Sequence, residues 1–264
     1  ARIVGAASRL KIVSRFGVGY DAVDVDALTR AGIPLAVVGS ANSVTVAEHA
    51  LMFMLALAKH TVAYDRMVRK GAWEIRFDHP PVDLAGRTVL ILGFGRIGRR
   101  LVKRCLGMEM TVLVHDPYVI QDAIATAGAE PVGDWRAALP DVDFLSVNCP
   151  KNAETNGMVG SPELAVMKET AYVVNTARGG IVDEVALAER LAAGSIAGAG
   201  LDVHEHEPIV HPRLLILDNV MLIPHLGSAT DEGRLAMGEK VIENIVAFAA
   251  GEMPPDKLIR GEDF

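Results

Sequence analysis

The chain has 264 residues, of which 50% are hydrophobic and 22% are charged, and its formal net charge is −7. This length corresponds to about 1.8 domains, and the composition excludes a disordered chain, a collagen and a small disulfide scaffold. The negative balance argues against nucleic-acid binding, which needs a basic face. The richest apolar run, 44–58, is shorter than the ~18 residues that a membrane-spanning helix needs.

Cysteine usage and the N-terminal residues bear on the cell compartment. Two cysteines, Cys105 and Cys149, are too few for a disulfide framework. The N-terminal residues contain no basic and apolar leader of the signal-peptide type. We therefore expect a cytoplasmic protein that binds neither membrane nor nucleic acid and holds no metal.

Short β-branched runs alternate with longer helical patterns, which predicts an α/β fold with parallel strands. The first part has predicted strands at 11–15 and 34–38, followed by one long helix at 44–69. The first half of this helix is apolar nearly all round, which is typical of burial on several sides. Gly71 and then His79-Pro80-Pro81 break the helix and mark the first domain boundary.

From Gly86 the alternation becomes regular and predicts a sheet of about seven strands. Six of these strands are placed, at 88–92, 111–115, 143–149, 171–176, 196–203 and 220–223. The predicted helices are 96–106, 120–127, 135–139, one that starts at Ser161, one from Asp183 to Gly194, and one from Thr230 to Gly251. Ser161 is predicted as an N-cap, since Pro162 and Glu163 suit the first helical turn.

A glycine-rich turn joins the strand at 88–92 to the following helix. Gly93, Gly95 and Gly98 match G-x-G-x-x-G, and Asp116 ends the next strand. This context is the dinucleotide-binding fingerprint, in which the pyrophosphate lies at the helix N-terminus and the acid binds ribose hydroxyls. Because Asp116 would repel a 2′-phosphate, we predict NAD rather than NADP as the cofactor.

Arginines near this turn keep NADP as an alternative cofactor, because an arginine can bind a 2′-phosphate. The candidates are Arg96, Arg99 and Arg100. Their places inside the helix favour solvated or phosphate-facing roles.

Three polar residues follow strands further along the chain, where open α/β sheets bind their ligands. Arg178 offers a fork for a substrate carboxylate, and His225 can exchange the proton that accompanies a hydride. A carboxylate such as Glu207 on the other ring nitrogen would fix the tautomer and hold that proton. Taken singly, each residue is more often a surface or structural group. Seven other histidines, including His204 and His206, compete with His225, and spacing alone does not choose among them.

Seven motifs in order resemble the D-isomer-specific 2-hydroxyacid dehydrogenase family, over a region from about Leu10 to Gly251. The motifs are Gly17-Val18-Gly19-Tyr20-Asp21, Asn42-Ser43, Val46-Ala47-Glu48-His49, Gly93 to Gly98, Asn175 to Gly180, Gly200-Leu201-Asp202-Val203 and Pro224-His225. The resemblance implies a Rossmann-type doubly wound sheet, a smaller flavodoxin-like substrate domain, and a homodimer formed largely through the helix at 44–69.

The resemblance also assigns site residues. It implies that His225 is the acid/base, Glu207 its partner and Arg178 the substrate anchor, with Asp202 facing the nicotinamide carboxamide. Further expected cofactor-binding residues are Gly93, Gly95, Arg96, Ile97, Gly98, Asp116, Cys149, Pro150, Thr155, Thr176, Ala177 and Gly227. The expected substrate-binding residues are Val18, Gly19 and Asn42.

Within the family the substrate candidates are glyoxylate, hydroxypyruvate and 3-phosphoglycerate. Two segments, Asn148-Cys149-Pro150 and the run from Asn42 to His49, are similar to the formate dehydrogenases, but those enzymes carry Gln where this chain has Glu207. Outside enzymology, the C-terminal-binding-protein corepressors resemble the family and would make this chain an NAD(H)-sensing interaction protein. A binding module without nicotinamide chemistry is the third alternative.

The expected domain division is 1–80 and 230–264 for the substrate domain and 81–229 for the NAD-binding domain. The two flanking segments supply only two clear strands, which are too few for a stable sheet. Compared with the family, Ala1 corresponds to a position inside a helix. We therefore expect the substrate domain to be incomplete at its N-terminal side.

Overall fold

The computed structural model describes residues 2–77, 80–252 and 258–259. The strands are β1 (Val13–Ser14), β2 (Leu35–Ala36), β3 (Thr88–Leu92), β4 (Thr111–His115), β5 (Glu130–Pro131), β6 (Phe144–Val147), β7 (Tyr172–Asn175), β8 (Gly198–Leu201), β9 (Val220–Leu222) and β10 (Leu258–Ile259). The α-helices are α1 (Arg2–Ala6), α2 (Val25–Arg30), α3 (Ser43–Ala58), α4 (Thr61–Arg69), α5 (Arg96–Gly107), α6 (Gln121–Thr126), α7 (Trp135–Ala138), α8 (Ser161–Val166), α9 (Glu184–Ala192) and α10 (Asp231–Ala250). Short 3₁₀ helices lie at Trp73–Phe77, Leu139–Asp141 and Leu214–Ile216.

Contacts between residues divide the chain into two compact units. The larger is Val46–Gly227, and the smaller combines Ala1–Thr45 with Ser228–Phe264. The division predicted from the sequence, 1–80, 81–229 and 230–264, follows chain segments and stays a prediction. His79, in its boundary segment, and most of the tail after Glu252 lie outside the described residues.

In the described part of the larger unit, seven parallel strands form one sheet in the order β5-β4-β3-β6-β7-β8-β9. The order reverses between β3 and β6, which pair directly through Val89 with Phe144 and Leu92 with Val147. In doubly wound sheets this reversal opens a ligand-binding crevice at the carboxyl ends of the strands. The predicted α/β fold with a doubly wound parallel sheet is confirmed.

Both faces of this sheet are covered, as parallel sheets require. Alternate residues of β3 show it: Leu90 and Leu92 belong to one hydrophobic cluster, whereas Val89 and Ile91 belong to the other. All four side chains are buried. The β-branched and aliphatic runs that indicated strands in the sequence therefore record burial on two sides.

Helix α3 packs on the sheet through Phe53, which is fully buried. A Cβ placed on Gly200 in β8 would lie 2.5 Å from Cδ1 of Phe53. Only glycine allows so close an approach of ring and strand, so Gly200 sets the distance between the helix and the sheet.

The single long helix predicted at 44–69 is wrong, because two helices occupy this segment. His60 adopts the left-handed conformation with φ 50° and separates α3 from α4. The carbonyl of Ala58 accepts the N–H of Val82 at 2.9 Å rather than continuing the helix. The apolar pattern runs across this break because it records burial and not the conformation of one residue.

Helix ends follow the sequence signals with one exception. Asp183 accepts from the N–H groups of Val185 and Ala186, as an N-cap should. Ser161, by contrast, is the first residue of α8 and not its cap. Gly160 takes the cap position, and its N–H donates to the Glu163 carboxylate at 3.0 Å.

The described part of the smaller unit contains a sheet of three strands in the order β1-β2-β10. Strands β1 and β2 are parallel and correspond to the two predicted strands, whereas β10 was not predicted and pairs antiparallel with β2. Helix α10 is fastened to these strands by Asn244, whose Nδ2 donates to the carbonyl of Val37 at 3.1 Å. Among the described residues, no helix is long and apolar enough to cross a bilayer.

Candidate active site

A histidine and a carboxylate form a hydrogen-bonded pair at the carboxyl edge of the sheet. His225 follows β9, and its Nδ1 lies 2.9 Å from Oε2 of Glu207, which follows β8. The other carboxylate oxygen, Oε1, accepts the backbone N–H of His204 at 3.0 Å. Because Nδ1 faces a carboxylate and carries a hydrogen, Nε2 is the ring nitrogen that can exchange a proton with a substrate.

The environment of Glu207 favours its charged form. Partial burial raises the pKa of the carboxyl, but the hydrogen bonds from His225 and from the N–H of His204 lower it more, below the ordinary value of 4.5. The pair therefore keeps its negative partner at neutral pH. The side chains remain 44% (His225) and 37% (Glu207) exposed, so solvent reaches the pair.

Asp202 lies directly after β8 and is 1% exposed. Its carboxylate accepts the N–H groups of Leu226 at 2.7 Å and Gly227 at 2.8 Å, and His49 Nε2 lies 3.3 Å from it. Burial raises the pKa of this carboxyl, but His49 and the two N–H groups outweigh burial and hold the pKa below 3.8.

Arg178 lies in the loop after β7, the strand beside β8. Asn175 shapes this loop, since its Nδ2 donates to the carbonyl of Arg178 and its Oδ1 accepts the N–H of Ala177. The guanidinium of Arg178 donates to the carbonyl of Ala177 at 2.6 Å. A Cβ on the next residue, Gly179, would lie 2.0 Å from the carbonyl oxygen of His204. The Arg178 loop and the loop that carries Glu207 are therefore in direct contact.

The glycine-rich turn lies where the strand order reverses. A Cβ on Gly93 would come within 2.8 Å of the Asn148 carbonyl carbon, and a Cβ on Gly98 would lie 2.0 Å from the carbonyl oxygen of Gly93. Both positions therefore require glycine. A Cβ on Gly95, by contrast, would meet nothing within 4 Å, so the space above the turn is open.

These residues fit a dinucleotide. Gly95 is the N-cap of α5 and offers no side chain to bind the first N–H groups of the helix, which suit a pyrophosphate. Asp116 accepts the N–H groups of Phe94 at 2.8 Å and Tyr118 at 3.0 Å. These two bonds orient the carboxylate, whose further lone pairs suit ribose hydroxyls.

The arginines of the turn are arranged along α5. Arg99 lies over the ring of Phe94, with Cζ 4.2 Å from the ring centroid. Arg96 and Arg100 are exposed, whereas Ile97 is partly buried and packs against the core under the sheet. The contact of Arg99 with Phe94 gives one of the three arginines a role that does not need a phosphate.

The other expected cofactor residues lie on the loops after β6 and β7 and after His225. Thr155 Oγ1 donates to the carbonyl of Pro150 at 2.6 Å, and Ala177 is partly buried. Burial raises the pKa of the Cys149 thiol to about 11, so the thiol is neutral. Thr176 is buried, and its Oγ1 has no hydrogen-bond partner among the described residues. A buried hydroxyl without a partner suits a ligand that would supply one.

The expected substrate residues belong to the smaller unit. Val18 and Gly19 form the partly buried loop after β1, and the Arg15 guanidinium donates to the carbonyl of Gly19. Asn42 precedes α3 and is 8% exposed. Its Oδ1 has no hydrogen-bond partner in the described part of the chain.

Three side chains of the larger unit were not singled out as site residues from the sequence. His49 contacts Asp202, Tyr118 Oη donates to Glu154 at 2.6 Å, and Lys151 Nζ donates to the carbonyl of Gly179 at 2.9 Å. His49 ends the motif Val46-Ala47-Glu48-His49, but its 3.3 Å contact with Asp202 joins residues that are far apart in the sequence. No pattern in the sequence pairs them.

Comparison with known proteins places this geometry in a family. The model of the D-isomer specific 2-hydroxyacid dehydrogenase NAD binding domain matches residues 51–227. A D-3-phosphoglycerate dehydrogenase of Archaeoglobus fulgidus is 41% identical over 252 residues, which cover 95% of this chain and 47% of that protein. A glyoxylate reductase of Thermococcus litoralis is 41% identical over 257 residues, which cover 95% of this chain and 77% of that protein.

A solved structure agrees with these matches. The D-lactate dehydrogenase of Aquifex aeolicus, complexed with NAD and lactic acid, superposes with a TM-score of 0.89 at 27% identity and covers 98% of this chain and 83% of that one. The chain belongs to the D-isomer specific 2-hydroxyacid dehydrogenase family, a class of NAD-binding oxidoreductases. It spans about half of the phosphoglycerate dehydrogenase and about three quarters of the glyoxylate reductase. The family, the enzyme class and NAD binding expected from the sequence are confirmed, whereas the preference for NAD over NADP stays a prediction.

Proposed function

We propose that this chain interconverts a small 2-hydroxy acid and its 2-keto acid, with His225 as acid/base, Glu207 as its partner and Arg178 as substrate anchor. The observation that carries the proposal is the 2.9 Å contact between His225 Nδ1 and Glu207 Oε2 at the carboxyl edge of the sheet. The glycine-rich turn opens at the same edge, where ligands of such sheets bind.

The chain's own residues handle the proton. Bound NADH supplies the hydride that converts the carbonyl carbon of the keto acid to an alcohol carbon. His225 in its protonated form donates the Nε2 proton to the carbonyl oxygen and becomes neutral, and the reverse reaction returns that proton. Glu207 stays ionised, binds Nδ1–H and stabilises the imidazolium without taking its proton.

Binding of the substrate carboxylate is assigned to Arg178, with Val18, Gly19 and Asn42 as further proposed contacts. A guanidinium presents parallel N–H groups that match a carboxylate, and its charge persists at any working pH. Loss of this anchor should weaken substrate binding more than it slows the chemistry.

The proposed cofactor contacts fall in three groups. The turn provides Gly93, Gly95, Arg96, Ile97 and Gly98, and Asp116 binds the ribose. The loops supply Cys149, Pro150, Thr155, Thr176 and Ala177, and Asp202 and Gly227 lie at the nicotinamide end. The unpartnered hydroxyl of Thr176 supports this assignment.

Glyoxylate and hydroxypyruvate are the proposed substrates, with 3-phosphoglycerate in the oxidative direction as a second candidate. Relatives named glyoxylate reductase and D-3-phosphoglycerate dehydrogenase support glyoxylate and 3-phosphoglycerate among these three. Formate dehydrogenase chemistry is disfavoured because Glu207 is bonded to His225, and such a pair serves a proton transfer that formate oxidation does not need. The relatives described above are dehydrogenases and reductases and do not support a corepressor role.

A homodimer formed through α3 is proposed for the assembly. An apolar groove with a charged rim runs along this helix, and it is lined by Glu48, Leu51, Met52, Leu55, Ala56, Lys59 and Thr61. A groove of this kind can receive the same helix of a second copy. We further propose a cytoplasmic location, where the two free thiols, Cys105 and Cys149, would stay reduced.

A panel of 2-keto acids tests the proposal, with oxidation of NADH or NADPH followed by absorbance. We expect turnover of glyoxylate or hydroxypyruvate with NADH and its loss in His225→Ala. The matched control is His206→Ala, which removes an exposed histidine from the neighbouring loop and should keep the activity. Turnover that survives in His225→Ala, or a faster reaction with formate than with any 2-hydroxy acid, would contradict the proposal.

A further inference from the structure

We propose that His49 and Asp202 form a positioning pair that fixes the turn carrying His225, with His49 Nε2–H as the donor that completes it. The inference rests on the proposed function, since it names residues that serve the same acid–base site. In this pair Asp202 acts through its hydrogen bonds with the backbone of that turn and not through any contact with the cofactor.

Asp202 holds three successive N–H groups of this turn. Its backbone carbonyl accepts the N–H of His225 at 2.8 Å, and its carboxylate accepts those of Leu226 and Gly227. His225 has a φ of 52°, in the left-handed region that residues with a Cβ rarely adopt. Such a conformation persists only where its surroundings hold it. Here one residue, Asp202, supplies the three bonds.

A buried carboxylate needs more than one kind of partner. Asp202 is 1% exposed, and a charge at this depth is costly unless hydrogen bonds and an opposite charge or a polar donor compensate it. The two N–H groups approach from the side of the turn. His49 Nε2 lies 3.3 Å from Oδ1 on the side of α3, as a close contact that stops short of hydrogen-bond geometry in this structure. Because the acceptor is a carboxylate, Nε2 carries the hydrogen.

The ring of His49 is itself held in place. Phe53, one turn later on α3, meets it edge to face, with the ring centroids 4.9 Å apart and the planes at 83°. Phe53 in turn packs under Gly200, two residues before Asp202. A Cβ on Gly227 would lie 2.6 Å from Asp202 Oδ2 and 3.7 Å from His49 Cδ2, so these groups are closely packed.

This arrangement defines a chain of contacts from helix to catalytic turn. Phe53 orients His49, His49 orients the Asp202 carboxylate, and that carboxylate fixes the N–H groups that follow His225. His49 thus acts on His225 through Asp202, which makes it a positioning residue. Its removal should misplace the acid/base group while leaving the affinity for the keto acid nearly unchanged.

Three variants test the pair in the whole chain. His49→Phe removes the donor, His49→Gln keeps an N–H at the corresponding position, and His211→Phe makes the same change at another partly buried histidine. In His49→Phe we expect kcat to fall roughly ten- to hundred-fold, since small misplacements cost this much, with KM for the keto acid changed by less than about two-fold. His49→Gln should recover most of kcat, and His211→Phe should match the wild type.

A second measurement does not depend on turnover. Histidine-selective ¹⁵N spectra of the cofactor-free protein report the hydrogen-bonded Nδ1 of His225, and thermal unfolding confirms that each variant is folded. We expect the His225 signal to shift or broaden in His49→Phe and to be retained in His49→Gln and His211→Phe.

The outcomes separate the two proposals. An unchanged kcat and His225 signal in a folded His49→Phe variant would overturn the positioning pair, as would His49→Gln behaving like His49→Phe. A wild-type protein that reduces no 2-keto acid would defeat the proposed function instead, and the imidazole spectra would still decide on the pair. Should His49→Phe fail to fold, the spectrum and kcat of His49→Asn, whose shorter side chain withdraws the donor from Asp202, take its place.

Discussion

Gly98 and Gly93 lie so close together that a Cβ on Gly98 would come 2.0 Å from the Gly93 carbonyl oxygen. The first turn of α5 is therefore pressed against the end of β3, which brings the N-terminus of the helix to the point where the strand order reverses. Gly95 lies between the two glycines and meets nothing within 4 Å. Gly93 and Gly98 therefore serve close packing, whereas Gly95 leaves space for a ligand. Single substitutions can separate these two roles.

We predict that Gly98→Ala destabilises the protein by about 2 kcal/mol or more, because the clash involves backbone that cannot yield. Gly107→Ala is the matched control on the same helix, where a Cβ meets nothing within 4 Å. It should be neutral or stabilise by up to about 1 kcal/mol through helix propensity. Denaturant unfolding measures both, and equal stability of the two variants would refute the packing argument.

Gly95→Ala should separate cofactor binding from stability. The added methyl group meets no protein atom, but it occupies the open space above the turn where the pyrophosphate is proposed to bind. We predict a free energy of unfolding within about 1 kcal/mol of the wild type, since alanine is a poorer N-cap than glycine. NADH should bind at least about ten-fold more weakly, which is about 1.4 kcal/mol. Titration of NADH fluorescence tests this, and unchanged affinity would place the pyrophosphate elsewhere.

Glu207→Gln should move the pH profile of keto-acid reduction to lower pH. The pKa of Glu207 lies below 4.5, so its negative charge is present at every pH where the enzyme would work. The amide keeps a polar contact but removes that charge, so the imidazolium that donates the proton loses its negative partner. Rates measured from pH 5 to 9 show the shift. Glu205→Gln, which changes an exposed acid of the same loop, should leave the profile in place.

The same pair predicts how stability depends on pH. Because the folded state lowers the pKa of Glu207, its contribution is present above the ordinary value of 4.5 and is lost as the pH falls through the folded-state pKa. The wild type should therefore lose more stability than Glu207→Gln between about pH 5 and pH 3. Unfolding curves at both ends of this range test the sign. A larger loss in the variant would contradict it.

Arg178→Ala should raise KM for the keto acid roughly ten- to hundred-fold, the range expected for loss of a charged hydrogen bond. Arg178→Lys should recover only part of this, since an ammonium cannot form the two parallel bonds of a guanidinium. Arg213→Ala removes an exposed arginine paired with Glu189 at 3.2 Å and is the control. Steady-state kinetics with unchanged KM in Arg178→Ala would remove the anchor role.

Asp116→Ala should weaken the preference for NADH over NADPH. The carboxylate is held by the N–H groups of Phe94 and Tyr118, and its charge would repel a 2′-phosphate. We predict that the ratio of kcat/KM for the two cofactors falls roughly ten-fold or more, chiefly through loss of NADH binding and of this repulsion. Asp122→Ala, at an exposed acid of α6, should leave the ratio unchanged.

The sequence predicted the regular half of the molecule well, for physical reasons. Parallel strands covered on both faces are continuous apolar runs, and Asp183 marks a helix start by the chemistry of its side chain. The break at His60 could not be predicted, because one left-handed residue leaves the apolar pattern unchanged. Strands β5 and β10 were not predicted, because neither lies in a longer apolar run like those that contain β1 and β2.

The ends of the predicted strands indicated where the site residues lie along the chain, but not which of them contact one another. Spacing could not choose among His204, His206 and His225, and only the fold brings His225 within 2.9 Å of Glu207. The contact of His49 with Asp202 joins a helix to a strand end about 150 residues further along the chain. Contacts of this kind depend on packing between elements, which local patterns do not contain.

The close approach of Gly179 to His204 has a consequence for protein engineering. The loop that carries Arg178 and the loop that carries Glu207 share a backbone contact with no room for a methyl group, so a change of shape in one must be matched in the other. Transfer of a substrate preference from one relative to another would therefore require that both loops be exchanged together. Chimaeras that exchange one loop alone should misfold locally at this contact, whereas those that exchange both should keep their architecture.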